Sequence, residues 1–458
     1  MTRLNPIHFA FLLALGCTTP SPSSEDAALP DAASRADAGR PDAARADAAL
    51  PDAALPDATS SDAARPDANR LDASVTDASI PTADAARPDA TVPLDANIPT
   101  DATSPADAAA EVDAAVTPDA GGYGPAGTPF PIAGFGAATR GGWQDGHDTV
   151  VVTSLDDDGT GTLREALRTN GAPRVITFAV DGVIALVTAL IVPSNVTVDG
   201  RGHDITLRGK GFVLPGSDEV ILINLAISDV APDSEDGVQI GSALPDPSEN
   251  VVLDHLAFLQ SGEGGDSRYV DEAISVVFGS RNITVAWCRF ERWEKVMLFG
   301  NGDADPALDA LQTITVHHSY ALQTGRRHPQ ARHGHFHLFN NFWDDWRMYG
   351  PFFTEPYYES FGSQCQDNGR MLLEGQMVRR HPHEFESFTQ ANHASRCESG
   401  GDILETGTWM DPASTAPLEF GVGCAGVEAF VPPYSVVVEE AGAPLRDRVV
   451  TNSGNTLR

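Results

Sequence analysis

Six stretches of this chain repeat one nine-residue arrangement of apolar and polar positions. They are EVILINLAI (219–227), NVVLDHLAF (250–258), NITVAWCRF (282–290), TITVHHSYA (313–321), HFHLFNNFW (335–343) and RMLLEGQMV (370–378). Their second residues, Val220, Val251, Ile283, Ile314, Phe336 and Met371, fall at intervals of 31, 32, 31, 22 and 35. NVTVDGRGHDITL (195–207) begins with an earlier, partial copy. Each copy is too short and too apolar to stand alone, and no amphipathic helix separates one from the next. Alternation puts Val251, Leu253 and His255 on one face and Val252, Asp254 and Leu256 on the other. The sixth residues of the template in the first five copies, Asn224, His255, Trp287, His318 and Asn340, are expected to stack in a column. Near-constant spacing with variable loops predicts an all-β, right-handed parallel β-helix, each turn covering the last. Consecutive copies are not joined by two-residue hairpin turns, as a sandwich would require.

The flanking segments fit the same scheme. DTVVVTSL (148–155) reads as a strand, and RVITFAVDGVIAL (174–186) as a pair of strands. A short helix is expected from Thr162 to Leu167, with Thr162 as N-cap and Glu165 three residues later. Residues 379–458 are loop-rich and are expected to cap or flank the solenoid. VPPYSVVVEEAGAPLRDRVV (431–450) is expected to pack back along it.

Composition separates the chain into three parts. Arg3, an apolar run from Phe9 to Leu15, and Gly16-Cys17 read as an export signal of the bacterial lipoprotein type, residues 1–17, with Cys17 lipidated. Residues 18–120 are almost entirely Ala, Asp, Pro, Ser and Thr, with Asp every five residues from Asp37 to Asp77, a composition that cannot offset the entropy of ordering. They are expected to be a solvated tether, and residues 121–458 the folded domain. The tether carries a net charge of −14 of the chain's −34, and Arg3 adds +1, which leaves −21 on the domain. So acidic a domain is not a nucleic-acid binder, and an anionic polymer needs a local basic patch or bridging cations to approach it. No apolar run outside the signal is long enough to span a membrane, so contact with one is expected only through the lipid. Among Cys288, Cys365, Cys397 and Cys424, Cys288 lies in a strand-like run and is expected to be a buried thiol, and Cys365 to pair with Cys397.

Candidate chemistry gathers between 236 and 332. Of 30 basic residues only Lys210 and Lys295 are lysines, and Lys295 directly follows the strand-like 282–290. One repeat later comes Arg327-x-Pro329-x-x-Arg332. Consecutive solenoid turns bring Lys295 beside this cluster, and three converging cations make a carboxylate site. Asp236 and Asp271 each lie just ahead of a strand, so adjacent turns bring Asp236, Asp271 and Glu272 together as hard oxygen ligands for Ca²⁺. His317, His318, His333, His335 and His337 lack transition-metal spacing and are expected to form hydrogen-bonded ladders. No motif for a serine or cysteine nucleophile or for a phosphate loop stands in a supporting context.

These residues resemble the pectate lyase superfamily, polysaccharide lyase family 1, over roughly 130–345. NVVLDHLAF is similar to the family's VWIDH strand and VTSLDDDGTGTLREAL to its VTNLxDxGxGSLREA segment. ITVHHSYALQTGRRHPQARHGHFHLFNNFW is similar to its ITxHHNxFxNxxxRxPRxRxGxxHxxNNxY signature. The resemblance implies a secreted, right-handed parallel β-helix that cleaves polygalacturonate by Ca²⁺-dependent β-elimination; together with the export signal the expectation is an outer-surface lipoprotein of a bacterium, acting as a monomer. It implies Arg327 as catalytic base, Lys295 and Arg332 as holders of the substrate carboxylate, Pro329 as part of the same loop, and Asp236 and Asp271 as calcium ligands. Ser275 stands where the family has a further carboxylate, with Glu272 as the available substitute, and Gln330 stands where an arginine is frequent. Two other readings keep the fold: a glycoside hydrolase with paired carboxylates drawn from Asp236, Asp254 and Asp271, and a non-catalytic carbohydrate-binding solenoid.

Overall fold

The computed structural model describes residue 128 and residues 130–457 apart from 169–171, 232–235, 242–246, 262–269, 302–305, 347–360, 382–391 and 427–429. Cys17, the export signal and the acidic segment lie outside the described residues. Among the described residues no helix is long and apolar enough to cross a membrane.

The repeated stretches build a parallel β-helix of three sheets, every strand pairing parallel with the strands one turn before and after it. Among the described residues the first sheet has ten strands, from Asp148–Val152 to Asp402–Thr406. The second has eight, from Leu190–Ile191 to Ser395–Cys397, and the third nine, from Gly182–Ala185 to Trp409–Met410. The second residues of the template are in direct register, Val220, Val251, Ile283, Ile314, Phe336 and Met371 following one another across the first sheet. All six side chains are buried in one core, which each turn alone would leave open.

The nine-residue template is two strands joined at a bend. Asn224, His255, Trp287, His318 and Asn340 take φ of 57°, 51°, 51°, 51° and 55°, and each links a strand of the first sheet to one of the third. His255 stacks on Trp287 at 5.8 Å and Trp287 on His318 at 4.5 Å, so the expected column exists. The left-handed residue resets the alternation: Leu256 joins Val251 and Leu253 in the core, whereas a continuous strand would put it on the other face.

The helix spans Leu163–Arg168, with Thr162 Oγ1 accepting from the Glu165 N–H at 3.2 Å. The segment 174–186 forms the strands Arg174–Phe178 and Gly182–Ala185, in different sheets. Beyond 379 the solenoid continues for one more turn instead of ending there, through Ser395–Cys397, Asp402–Thr406 and Trp409–Met410. The C-terminal segment then runs back along it. Tyr434 Oη lies 2.6 Å from Thr315 Oγ1, the helix Ala443–Asn452 buries Leu445 and Val449 against Tyr320, Phe342 and Met377, and the Leu457 N–H reaches Asn224 Oδ1 at 2.8 Å.

The disulfide corrects the expected pairing. Cys365 and Cys397 are register neighbours, but Cys397 is bonded to Cys424, with Cα atoms 4.8 Å apart. Cys397 therefore has a cysteine on either side, and its bond ties down the chain beyond the last full turn. Cys365 stays a thiol inside the core, pushed up to about 12 by burial, and Cys288 is likewise a buried thiol.

At the corner leading into the second sheet the turns approach closely. A Cβ on Gly211 would lie 1.8 Å from the Gly237 carbonyl oxygen, one turn away. Gly211→Ala is expected to destabilise the fold by roughly 2–3 kcal/mol through forced separation of these turns, read as a lowered urea midpoint at unchanged slope.

Candidate active site

The second sheet orders the candidate residues, because each lies on the approach to one of its strands. Asp236 precedes Val238–Ile240, Asp271 and Glu272 precede Ile274–Val276, Lys295 precedes Met297–Phe299, and Arg327 precedes Gln330–Arg332. These strands are successive neighbours, so residues 91 positions apart in sequence meet across four turns. A parallel bridge between Lys295 and Arg326 locks the last two approaches together.

The carboxylates of Asp236, Asp271 and Glu272 each offer an oxygen within 4.8 Å of the others. Lys295 Nζ lies 2.8 Å from Asp271 Oδ1, and Arg327 Nη1 is ion-paired with Glu272. The Glu272 N–H donates to Asp236 Oδ1 at 3.0 Å, and the Ser275 hydroxyl donates to Asp236 Oδ2. Burial, the largest cause, pushes Asp236 up to about 7. The Ser275 hydrogen bond, Lys295 and Arg327 act against it, and Asp271 adds to it. This donor set fits a hard cation. Three carboxylates supply oxygen ligands only, and one of them sits where burial and a neighbouring negative charge make ionisation costly until positive charge arrives.

Arg332 stands on the same sheet, in the strand next to Met297–Phe299, and is ion-paired with an aspartate outside this group. It ends its strand five residues beyond Arg327, and its Nε lies 3.5 Å from Asp367 Oδ2. Arg327 has φ 67°, the His328–Pro329 peptide is cis, and the chain enters the strand only at Gln330. Pro329 thus belongs to the loop, its carbonyl accepting from the Gln364 N–H at 2.8 Å.

Two residues not singled out from the sequence support this loop. His328 is fully buried, its Nδ1 3.1 Å from the Phe361 carbonyl oxygen and its Nε2 2.6 Å from Thr324 Oγ1, and burial holds it down at about 4. It is therefore a neutral strut. Glu294 is also fully buried and pushed up to about 7 by burial, opposed chiefly by Arg326, whose Nη2 lies 3.3 Å away. Adjacency to Lys295 and Arg327 was the only sequence signal either carried.

Of the five histidines, His317, His318 and His337 are hydrogen-bonded in rows along the first sheet. His317 Nδ1 lies 3.0 Å from His318 Nδ1, His318 Nε2 lies 3.0 Å from Glu439 Oε1, and His337 lies between Tyr434 and Glu374. Burial lowers His317 far below the ordinary histidine value, and the His318 contact draws Glu439 down to about 2. Asp254 is held there by His255 at 2.7 Å, away from the second-sheet carboxylates.

A parallel β-helix with a cation-rich acidic cluster on one lateral sheet defines the class. Its solved likenesses include jun a 1, the major allergen from cedar pollen, with TM-score 0.57 and 23% identity over 71% of this chain and 92% of that one. A second is the thermostable pectate lyase PL 47, with TM-score 0.56 and 18% identity over 71% and 97%. The family profile described as pectate lyase matches residues 118–403, and the chain belongs to that family. A probable pectate lyase of Solanum lycopersicum is 34% identical over 234 residues, 47% of this chain and 56% of that protein. Pectate lyase 2 of Ambrosia artemisiifolia is 30% identical over 317 residues, 64% of this chain and 75% of that protein. The chain thus spans about 56% of the length of the first of these relatives.

Proposed function

We propose that this chain is a calcium-dependent pectate lyase that cleaves polygalacturonate by β-elimination. The observation that carries the reading is the adjacency of Lys295 and Arg327 to the carboxylates of Asp271 and Glu272, within one group that includes Asp236. Membership of the pectate lyase family supports it.

Asp236, Asp271 and Glu272 would hold calcium, which would supply positive charge to the C6 carboxylate of the uronate, whose C5 proton is otherwise only weakly acidic. Lys295 pairs with that carboxylate, and Arg332 joins it by turning from Asp367. Arg327 takes the C5 proton. The electron pair of the broken C–H bond forms the C4–C5 double bond as the C4–oxygen bond breaks, and the departing oxygen takes a proton from solvent. An arginine side chain is a base only when neutral, so Arg327 has to release a proton to solvent and open its ion pair with Glu272 before it takes the C5 proton. Ser275 replaces a carboxylate by a hydroxyl that holds Asp236 in place. This lowers the charge of the group and is expected to weaken calcium binding relative to a four-carboxylate site.

The export reading belongs to the same proposal: the enzyme is anchored through Cys17 on the outer surface of a bacterium and acts as a monomer. It rests on Arg3, Phe9–Leu15 and Cys17 alone, since the relatives named above are plant proteins.

The test is ultraviolet absorbance of the unsaturated product from polygalacturonate, with Ca²⁺ and with a chelator. Calcium-dependent product is expected. New reducing ends without unsaturation would favour the hydrolase reading, against which Asp254 already stands on another sheet. Binding without turnover, unaffected by Arg327→Ala, would favour the non-catalytic solenoid.

A further inference from the structure

The outward-facing positions of the second sheet form one register row. Ile191, Val213, Gln239, Ser275 and Leu298 follow one another on successive strands. Ser275, the fourth, touches Asp236 and so belongs to the acidic group. The first three lie in a cavity of about 580 Å³, walled by Arg164, Leu167 and Arg168 of the helix Leu163–Arg168. The cavity and the candidate active site therefore lie along one row of side chains, Gln239 of the cavity being the register neighbour of Ser275. At roughly 4.8 Å per strand, Val213 is about 14 Å from the Lys295 strand, several sugar residues away.

Its lining is nearly uncharged in effect. Ile191 is 55% exposed, an apolar side chain left uncovered at the cavity floor. Val213 extends that surface, and Gln239 adds one amide. Arg164 is committed to Asp157 and to the carbonyls of Thr188 and Ala189, and Arg168 pairs with Asp158 at 2.7 Å. A free uronate there would have to compete for these arginines on a domain of net charge −21. A neutral sugar derivative meets no such cost.

We propose that this cavity is a distal subsite for an uncharged uronate, a methyl ester, so that the preferred substrate is partially methyl-esterified polygalacturonate. The ester methyl lies on Ile191 and Val213, and its carbonyl accepts from the Gln239 amide. The inference rests on the lyase reading and adds a substrate preference to it.

The experiment compares kcat/KM on unesterified polygalacturonate, on partially methyl-esterified polygalacturonate and on the shortest oligogalacturonate cleaved. The wild-type protein is expected to favour the esterified polymer. Ile191→Asp is expected to remove about tenfold of kcat/KM on that polymer through KM, leaving kcat and the short substrate unchanged. Gln239→Lys is expected to shift preference toward the unesterified polymer. Unsaturated product without preference for ester, or variants that slow the short substrate equally, would overturn the subsite and leave the lyase reading intact. Absence of unsaturated product from every substrate would instead remove the lyase reading itself.

Discussion

Arg327→Lys is expected to lower kcat on polygalacturonate by on the order of a thousandfold, the scale of losing a positioned base. KM should change little, because the residues proposed to hold the carboxylate, Lys295 and Arg332, are untouched. The fold should survive, since a lysine keeps the positive charge beside Glu272 and position 327 is part of a surface loop anchored independently by His328 and Pro329. Steady-state kinetics and a thermal midpoint on the same preparation separate the two effects. Retained activity would remove Arg327 from the role of base.

The second large effect joins calcium to pH through Asp236. In the metal-free protein this carboxyl sits at about 7 against an ordinary value of 3.8. Between those values the folded chain holds a proton that the unfolded chain has released, so metal-free stability falls as pH rises from about 4 to about 7. Glu294, also pushed up to about 7, acts in the same direction. Calcium has to displace the Asp236 proton, so its affinity should rise about tenfold per pH unit up to about 7 and flatten above it. Isothermal titration at several pH values reads this slope. Asp236→Asn should abolish it along with most of the binding, while the stability contribution of Glu294 persists. A calcium affinity independent of pH below 7 would exclude Asp236 as a ligand.

Much of this arrangement was legible in the chain because a solenoid writes its register into the spacing of its repeats. The run from Val220 to Met371 predicted six strands in direct register, and the column of Asn224, His255, Trp287, His318 and Asn340 followed from the same template. Stacking also brought Asp236, Asp271, Glu272, Lys295 and Arg327 onto neighbouring approaches. What escaped depends on single backbone angles or on choices between equivalent neighbours. One left-handed residue at His255 turned Leu256 inward against the simple alternation. Cys397 had a cysteine on either side, and register alone could not choose Cys424 over Cys365. The Ser275–Asp236 hydrogen bond joins residues 39 positions apart, and a serine in a strand gives no sign of such a partner.

The most direct test is a crystal structure of the Arg327→Lys protein with Ca²⁺ and an uncleaved oligogalacturonate. The account predicts an ion about 2.3–2.6 Å from oxygens of Asp236, Asp271 and Glu272, a uronate carboxylate against Lys295, and the sugar's C5 hydrogen directed at position 327. An ion bound elsewhere, or a C5 hydrogen turned away from that position, would contradict it.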